Sequence, residues 1–136
     1  MKTILVCYEE RPVAPRVLER TAELAKALDA NVVVTSVAPV LHITRAGPID
    51  PVDPPERHEA EVAEAVARLG ELGIANVEAV TGLGDPAGTI VRLAEEHGAD
   101  LIVLGAHDGG VLTRLLGLST TDAVAHRAKT DVLIVH

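Results

Sequence analysis

Five short apolar runs, Thr3 to Tyr8, Asn31 to Val37, Val77 to Val80, Leu101 to Leu104 and Val132 to Val135, are separated by segments in which apolar residues return every three or four positions. Runs of Val, Ile and Leu without polar alternation suit strands covered on both faces. The intervening stripes suit helices lying on those faces. The first stripe, Pro15 to Leu28, carries Val17, Leu18, Thr21, Leu24, Ala25 and Leu28, with Glu19, Arg20, Glu23 and Lys26 opposite, and stops at Asp29 to Asn31. The second, Glu56 to Leu72, runs through Val62, Val66 and Leu69 and ends at Gly70 or Gly73. For the third, Asp85 suits the N-cap, Pro86 the first helical position, and His97 with Gly98 the stop. A fourth covers about Thr120 to Ala128. Strict alternation of strand and helix predicts an α/β fold: a mostly parallel sheet, helices on both faces and right-handed crossovers.

The length of 136 residues fits a single domain spanning 1–136. One segment resists the pattern. Residues 38–55 hold five of the eight prolines, which predicts an irregular surface excursion, either a lid over a site or a disordered insertion. Tyr8 is the only aromatic residue, so no stacking platform for nucleic-acid bases exists. The net charge of −8 argues in the same direction, because nucleic acid and anionic lipid both call for a cationic surface. Cys7 is the only cysteine and sits in an apolar run, so a buried inert thiol is expected. The apolar start is too short for a signal peptide and no run approaches a membrane span. A soluble cytoplasmic protein is the expectation.

The stretch from Leu101 to Asp122 passes from apolar run to glycine to small hydroxyl residues. Such a strand, loop and helix start can hold a phosphate on unpaired backbone N–H groups. In parallel sheets, ligands sit beyond the carboxyl ends of the strands where strand order reverses. If the first strand is central, that place lies between Glu9 and Gly105.

The sequences Lys2-Thr3-Ile4-Leu5-Val6, Gly84-Asp85-Pro86-Ala87, Gly98-Ala99-Asp100-Leu101-Ile102-Val103-Leu104-Gly105 and Val132-Leu133-Ile134-Val135 together resemble the universal stress protein family over essentially the whole chain. The resemblance implies a three-layer, adenine nucleotide alpha hydrolase-like fold with strand order 3-2-1-4-5. It also implies a homodimer paired through the last strand, Val132, Leu133, Ile134 and Val135, an apolar edge with no proline or lysine to blunt it. ATP-binding members carry a Gly, two residues, a second Gly, nine residues, then Gly followed by Ser or Thr. Laid on this chain without gaps, the glycines fall on Gly105, Asp108 and Leu118, followed by Ser119. Two of the three are replaced, and Gly109, Gly110 and Gly117 lie out of register. Asp108 puts a negative charge where a polyphosphate would lie, and Leu118 adds bulk beside the helix start. The acid that the family places near the adenine is Glu9 here, and Val37 matches the position whose backbone serves the base. The implied nucleotide set is therefore Glu9, Val37, Gly105, Ser119 and Thr121, with the base end kept and the phosphate end damaged.

Ser119 to Asp122 also reads as a helix N-cap with Asp122 reaching back in a box-like arrangement, and the broken glycine pattern favours that reading. Glu9, Glu10 and Asp108 are hard ligands but fit a solvated rim better than a metal site. His107 and Asp108 lack a third group to orient them, and no Walker sequence or nucleophile elbow occurs. The expectation is a non-enzymatic stress protein with no catalytic residues, no metal and no cofactor, whose crevice binds ATP weakly or not at all. The alternative is a genuine ATP or AMP binder, with magnesium, slow hydrolysis and the 38–55 segment as a lid. No nucleic acid or membrane partner is expected; protein partners are.

Overall fold

β1 (Lys2–Cys7) holds the centre of a five-stranded sheet, paired in parallel with β2 (Ala30–Ala38) on one side and β4 (Leu101–Gly105) on the other. β3 (Val77–Leu83) completes one edge beside β2, and β5 (Asp131–Val135) the other beside β4. The order is β3-β2-β1-β4-β5. The computed structural model describes residues 2–9, 11–38, 55–106 and 120–136. The helices are α1 (Ala14–Leu28), α2 (Pro55–Glu71), α3 (Pro86–Glu96) and α4 (Thr120–Arg127). Most of the 38–55 excursion lies outside the described residues.

Period-two alternation sends successive strand side chains to opposite faces, and it sorts the interior into two layers. Ile4, Val6, Val32 and Val34 face α1 and α2, where Val17, Leu18, Ala22, Val62, Ala65 and Leu69 meet them. Leu5, Val33, Ile102 and Leu104 face the other way, toward Ile90, Leu93 and Ala94 of α3 and Val124 of α4. Each fully buried Val, Leu or Ile contributes on the order of 1.5–3 kcal/mol relative to its exposed state, so a core whose one aromatic side chain is the buried Tyr8 is sufficient here.

One strand end differs from the sequence expectation for an identifiable reason, and the ends of α1 and α2 fall where the sequence placed them. β3 extends beyond Val80 to Leu83, because Thr81, Gly82 and Leu83 pair with Ser36, Val37 and Ala38. Gly82 lies beneath Thr89 in this added stretch: a Cβ there would lie 2.5 Å from the Thr89 methyl. α2 runs through Gly70 to Glu71, and Gly73, at φ 92°, is the residue past its end that takes positive φ. α1 ends on Asp29 in the left-handed region, whose N–H bonds back to the Ala25 carbonyl; a short polar side chain tolerates that conformation. The start of α3 matches expectation, with the Asp85 carboxylate accepting from the Gly88 N–H at 2.9 Å.

Candidate functional site

Strand order reverses between β1 and β4, so their carboxyl ends open a crevice. Tyr8 continues the β1 ladder by donating its N–H to the Thr35 carbonyl at 2.8 Å, and the chain then turns through Glu9 and Arg11 into α1. The Glu9 carboxylate is held by Arg11, with Oε2 3.2 Å from Nε. Opposite, the Ala106 N–H donates to the Val135 carbonyl at 2.7 Å, which carries the β4–β5 ladder past Gly105.

Gly105 has an architectural reason to be glycine. A Cβ at that position would lie 2.8 Å from Val13 Cγ1 and 3.2 Å from Val17 Cγ2, so the first turn of α1 packs directly on the β4 backbone. Thr121, buried in the first turn of α4, donates its hydroxyl to the Gly105 carbonyl at 3.3 Å. Glu9 and Gly105 border one gap with Cys7, Tyr8, Arg11 and Val13 that encloses only about 10 Å³, roughly one water at most. Next to it a cavity of about 210 Å³ is lined by Arg11, Pro12, Val13, Ala106 and His136.

Of the sequence-expected set, Gly105 and Thr121 are joined by a hydrogen bond, and Glu9 lies across the small gap from Gly105. Val37 stands apart on β2: its Cα is opposite Gly82 and its side chain is buried in the α3 layer. Ser119 lies outside the described residues, as do Glu10, His107, Asp108, Gly109, Gly110, Gly117 and Leu118. The cap between Ser119 and Asp122 and the Glu9, Glu10, Asp108 cluster therefore also fall outside them. Among the described residues no group of three or more His, Cys, Asp or Glu side chains is placed to hold a metal ion.

Sequence reasoning passed over two features. Arg11 borders both cavities, and the only signal was a cation directly after two acids at a strand end. On the α1 and α2 side, Ser36 Oγ lies 2.6 Å from His58 Nδ1, both buried, with Glu61 buried one turn further along α2. Cys7 is half-buried, and burial pushes its thiol far above the ordinary value, with Glu9 and Glu61 adding to the shift and Arg11 opposing it. A larger depression of about 410 Å³, lined by Thr3, Asn31, Val77, Glu78 and His97 among others, lies at the amino ends of the strands, away from the reversal point.

Residues 1–136 match the family model described as Universal stress protein family. This chain belongs to the universal stress protein family. Universal stress protein Rv1636 of Mycobacterium tuberculosis H37Rv is 48% identical over 67 residues, a segment covering 47% of this chain and 44% of that protein. That match therefore spans under half the length of the curated relative. The crystal structure of Rv1636 superposes with a TM-score of 0.65 at 32% identity, covering 99% of this chain and 94% of that one. A universal stress protein solved in complex with cAMP superposes with a TM-score of 0.77 at 29% identity, covering 99% of this chain and 97% of that one. The sheet order and layering are those of the adenine nucleotide alpha hydrolase-like fold of these neighbours. No helix among the described residues is long and apolar enough to cross a membrane.

Proposed function

We propose that this universal stress protein is a non-enzymatic, cytoplasmic regulator whose crevice at the β1 and β4 ends takes an adenine mononucleotide and holds ATP weakly or not at all. The observation that carries this reading is the packing of Val13 and Val17 on Gly105. The one motif glycine retained in register is required by the fold, so its presence is no sign of a working phosphate loop. The other two motif positions are Asp108 and Leu118, in place of the glycines that let a backbone approach phosphate oxygens closely. The Thr121 hydroxyl proton is already directed at a backbone carbonyl. A relative of 29% identity is in complex with cAMP, which supports a mononucleotide over a polyphosphate. Of the proposed contacts, Glu9 and Val37 serve the base end, and Gly105, Ser119 and Thr121 the other end.

Calorimetric titration of the purified chain with AMP, cAMP and ATP, each with and without magnesium, tests this directly. The expected result is saturable mononucleotide binding, with ATP no tighter than about 100 μM, near 5.5 kcal/mol, and no phosphate release. Tight ATP binding would overturn the reading. The paired change Asp108→Gly with Leu118→Gly should raise ATP affinity if lost glycine is the defect; unchanged affinity would place the defect at the base end. We also propose a homodimer through β5, whose test is argued below.

A further inference from the structure

We propose that the depression of about 410 Å³ at the amino ends of β1, β2 and β3 binds a small organic cation carrying primary ammonium groups, the chemistry of a short diamine. Its size falls in the range of small-molecule pockets. It lies at the opposite end of the sheet from the crevice described above, so the proposal is independent of nucleotide binding. Thr3 and Asn31 are register partners on β1 and β2. Period-two alternation from Leu5 and Val33 places both on the face covered by α3, and the same alternation from Val80 places Glu78 there. α3 ends at Glu96, and His97 forms the wall where the helix stops; Asn76, just before β3, completes the polar rim over a floor that includes Val33.

Hydrogen-bond acceptors converge on this depression. His97 Nδ1 lies 2.9 Å from the Leu93 carbonyl oxygen; a carbonyl can only accept, so Nδ1 carries the proton and the neutral ring presents the Nε2 lone pair. That Nε2 lies 3.7 Å from Glu78 Oε1. The separation is too long for a hydrogen bond and lets one protonated amine donate to both atoms, because an ammonium carries three N–H donors and accepts none. The carboxamides of Asn31 and Asn76 and the Thr3 hydroxyl add oxygen acceptors around the same space, and among the described residues neither carboxamide makes a side-chain hydrogen bond. Glu78, the single carboxylate among the described lining residues, supplies negative charge in a chain whose net charge of −8 already draws cations toward it. His97 also caps the carboxyl end of α3, where the helix dipole favours positive charge. The methylene chain of a diamine suits the valine floor.

The test is a titration of the isotope-labelled full chain with putrescine, a short diamine, followed through amide chemical shifts at constant ionic strength. The expected result is saturable shifts centred on Asn31, Asn76, Glu78 and His97, with none for tetramethylammonium, which has the charge but no N–H donors. Glu78→Gln should weaken putrescine about tenfold, the loss of one charged hydrogen bond, whereas Glu19→Gln, at an exposed position of α1, should leave it unchanged. Asn76→Ala, also at an exposed position, should weaken binding severalfold and remains informative if Glu78→Gln melts early. Shifts that fail to saturate, that centre elsewhere or that tetramethylammonium reproduces overturn the proposal. Equal effects of Glu78→Gln and Glu19→Gln overturn it too, because they are the signature of general attraction to an acidic surface.

Discussion

At Gly105 two explanations of one residue make different predictions. A glycine kept for phosphate contact tolerates alanine in the empty protein, whereas one kept for packing does not. With Val13 Cγ1 2.8 Å and Val17 Cγ2 3.2 Å from the new methyl, Gly105→Ala overpacks the α1 contact and should cost about 1–3 kcal/mol, read from urea denaturation without nucleotide. Adding Val13→Ala removes the nearer clash and should recover part of that loss. Two fully additive destabilisations would reject the packing account. Cys7 offers a second test. Because burial holds its thiol protonated in the fold, the native protein should react with iodoacetamide at pH 8 far more slowly than the denatured chain. The sign for stability follows: the folded pKa is raised, so the contribution is complete below the unfolded thiol's value of about 8.5 and is lost as pH rises above it. Cys7→Ala should flatten the decline in stability above pH 8.5, and an unchanged alkaline slope in that variant would reject the account.

Among the elements, α3 shows how a cap can bind two helices. The Asp85 carboxylate accepts from the Gly88 N–H at 2.9 Å and meets the Arg127 guanidinium from α4 at 3.2 Å. Asp85→Ala should therefore cost about 1 kcal/mol, the usual loss of an N-cap. Arg127→Ala should cost about 0–1 kcal/mol, because both partners are more than half exposed to solvent. A larger effect from Arg127 in denaturant midpoints would mean that α4 depends on that contact. The same helix explains what was legible in the sequence. Asp85 and Pro86 announce the helix because a cap involves three or four neighbouring residues. The true end of β3 is hidden because Gly82 is strand only in the presence of Thr89, seven residues on, and of Val37 opposite. The candidate site divides in the same way. Glu9, Gly105 and Thr121 are nominated by motif register, while the position of Arg11 follows from three strand ends meeting, which no local pattern encodes.

For the whole molecule, an open sheet of this order leaves two edges, β3 and β5, and edges left unpaired invite other strands. β3 presents exposed Glu78, Ala79 and Thr81, with a charge on its edge. β5 begins at exposed Asp131 and then presents three consecutive half-buried apolar residues, Val132, Leu133 and Ile134, and that unbroken apolar run makes it the better candidate for pairing with a second copy. Leu133 is a poor probe of that pairing, because its side chain packs against the α1 and α2 layer, and a charge there would unfold the monomer. Ile134 is half-buried and belongs to neither core layer among the described residues. Ile134→Lys places a cation on the strand while leaving the packed side chains in place. The expected outcome is a fall in sedimentation coefficient from dimer to monomer with far-UV circular dichroism unchanged. A native chain that sediments as a monomer, or a variant that remains dimeric, would reject the β5 interface. Because Val135 closes the β4–β5 ladder and the next residue, His136, lines the Arg11 cavity, the same variant also connects assembly to binding. If the second copy covers only the edge, AMP affinity should survive dissociation within about twofold, roughly 0.4 kcal/mol; a larger loss would show that the dimer completes the crevice.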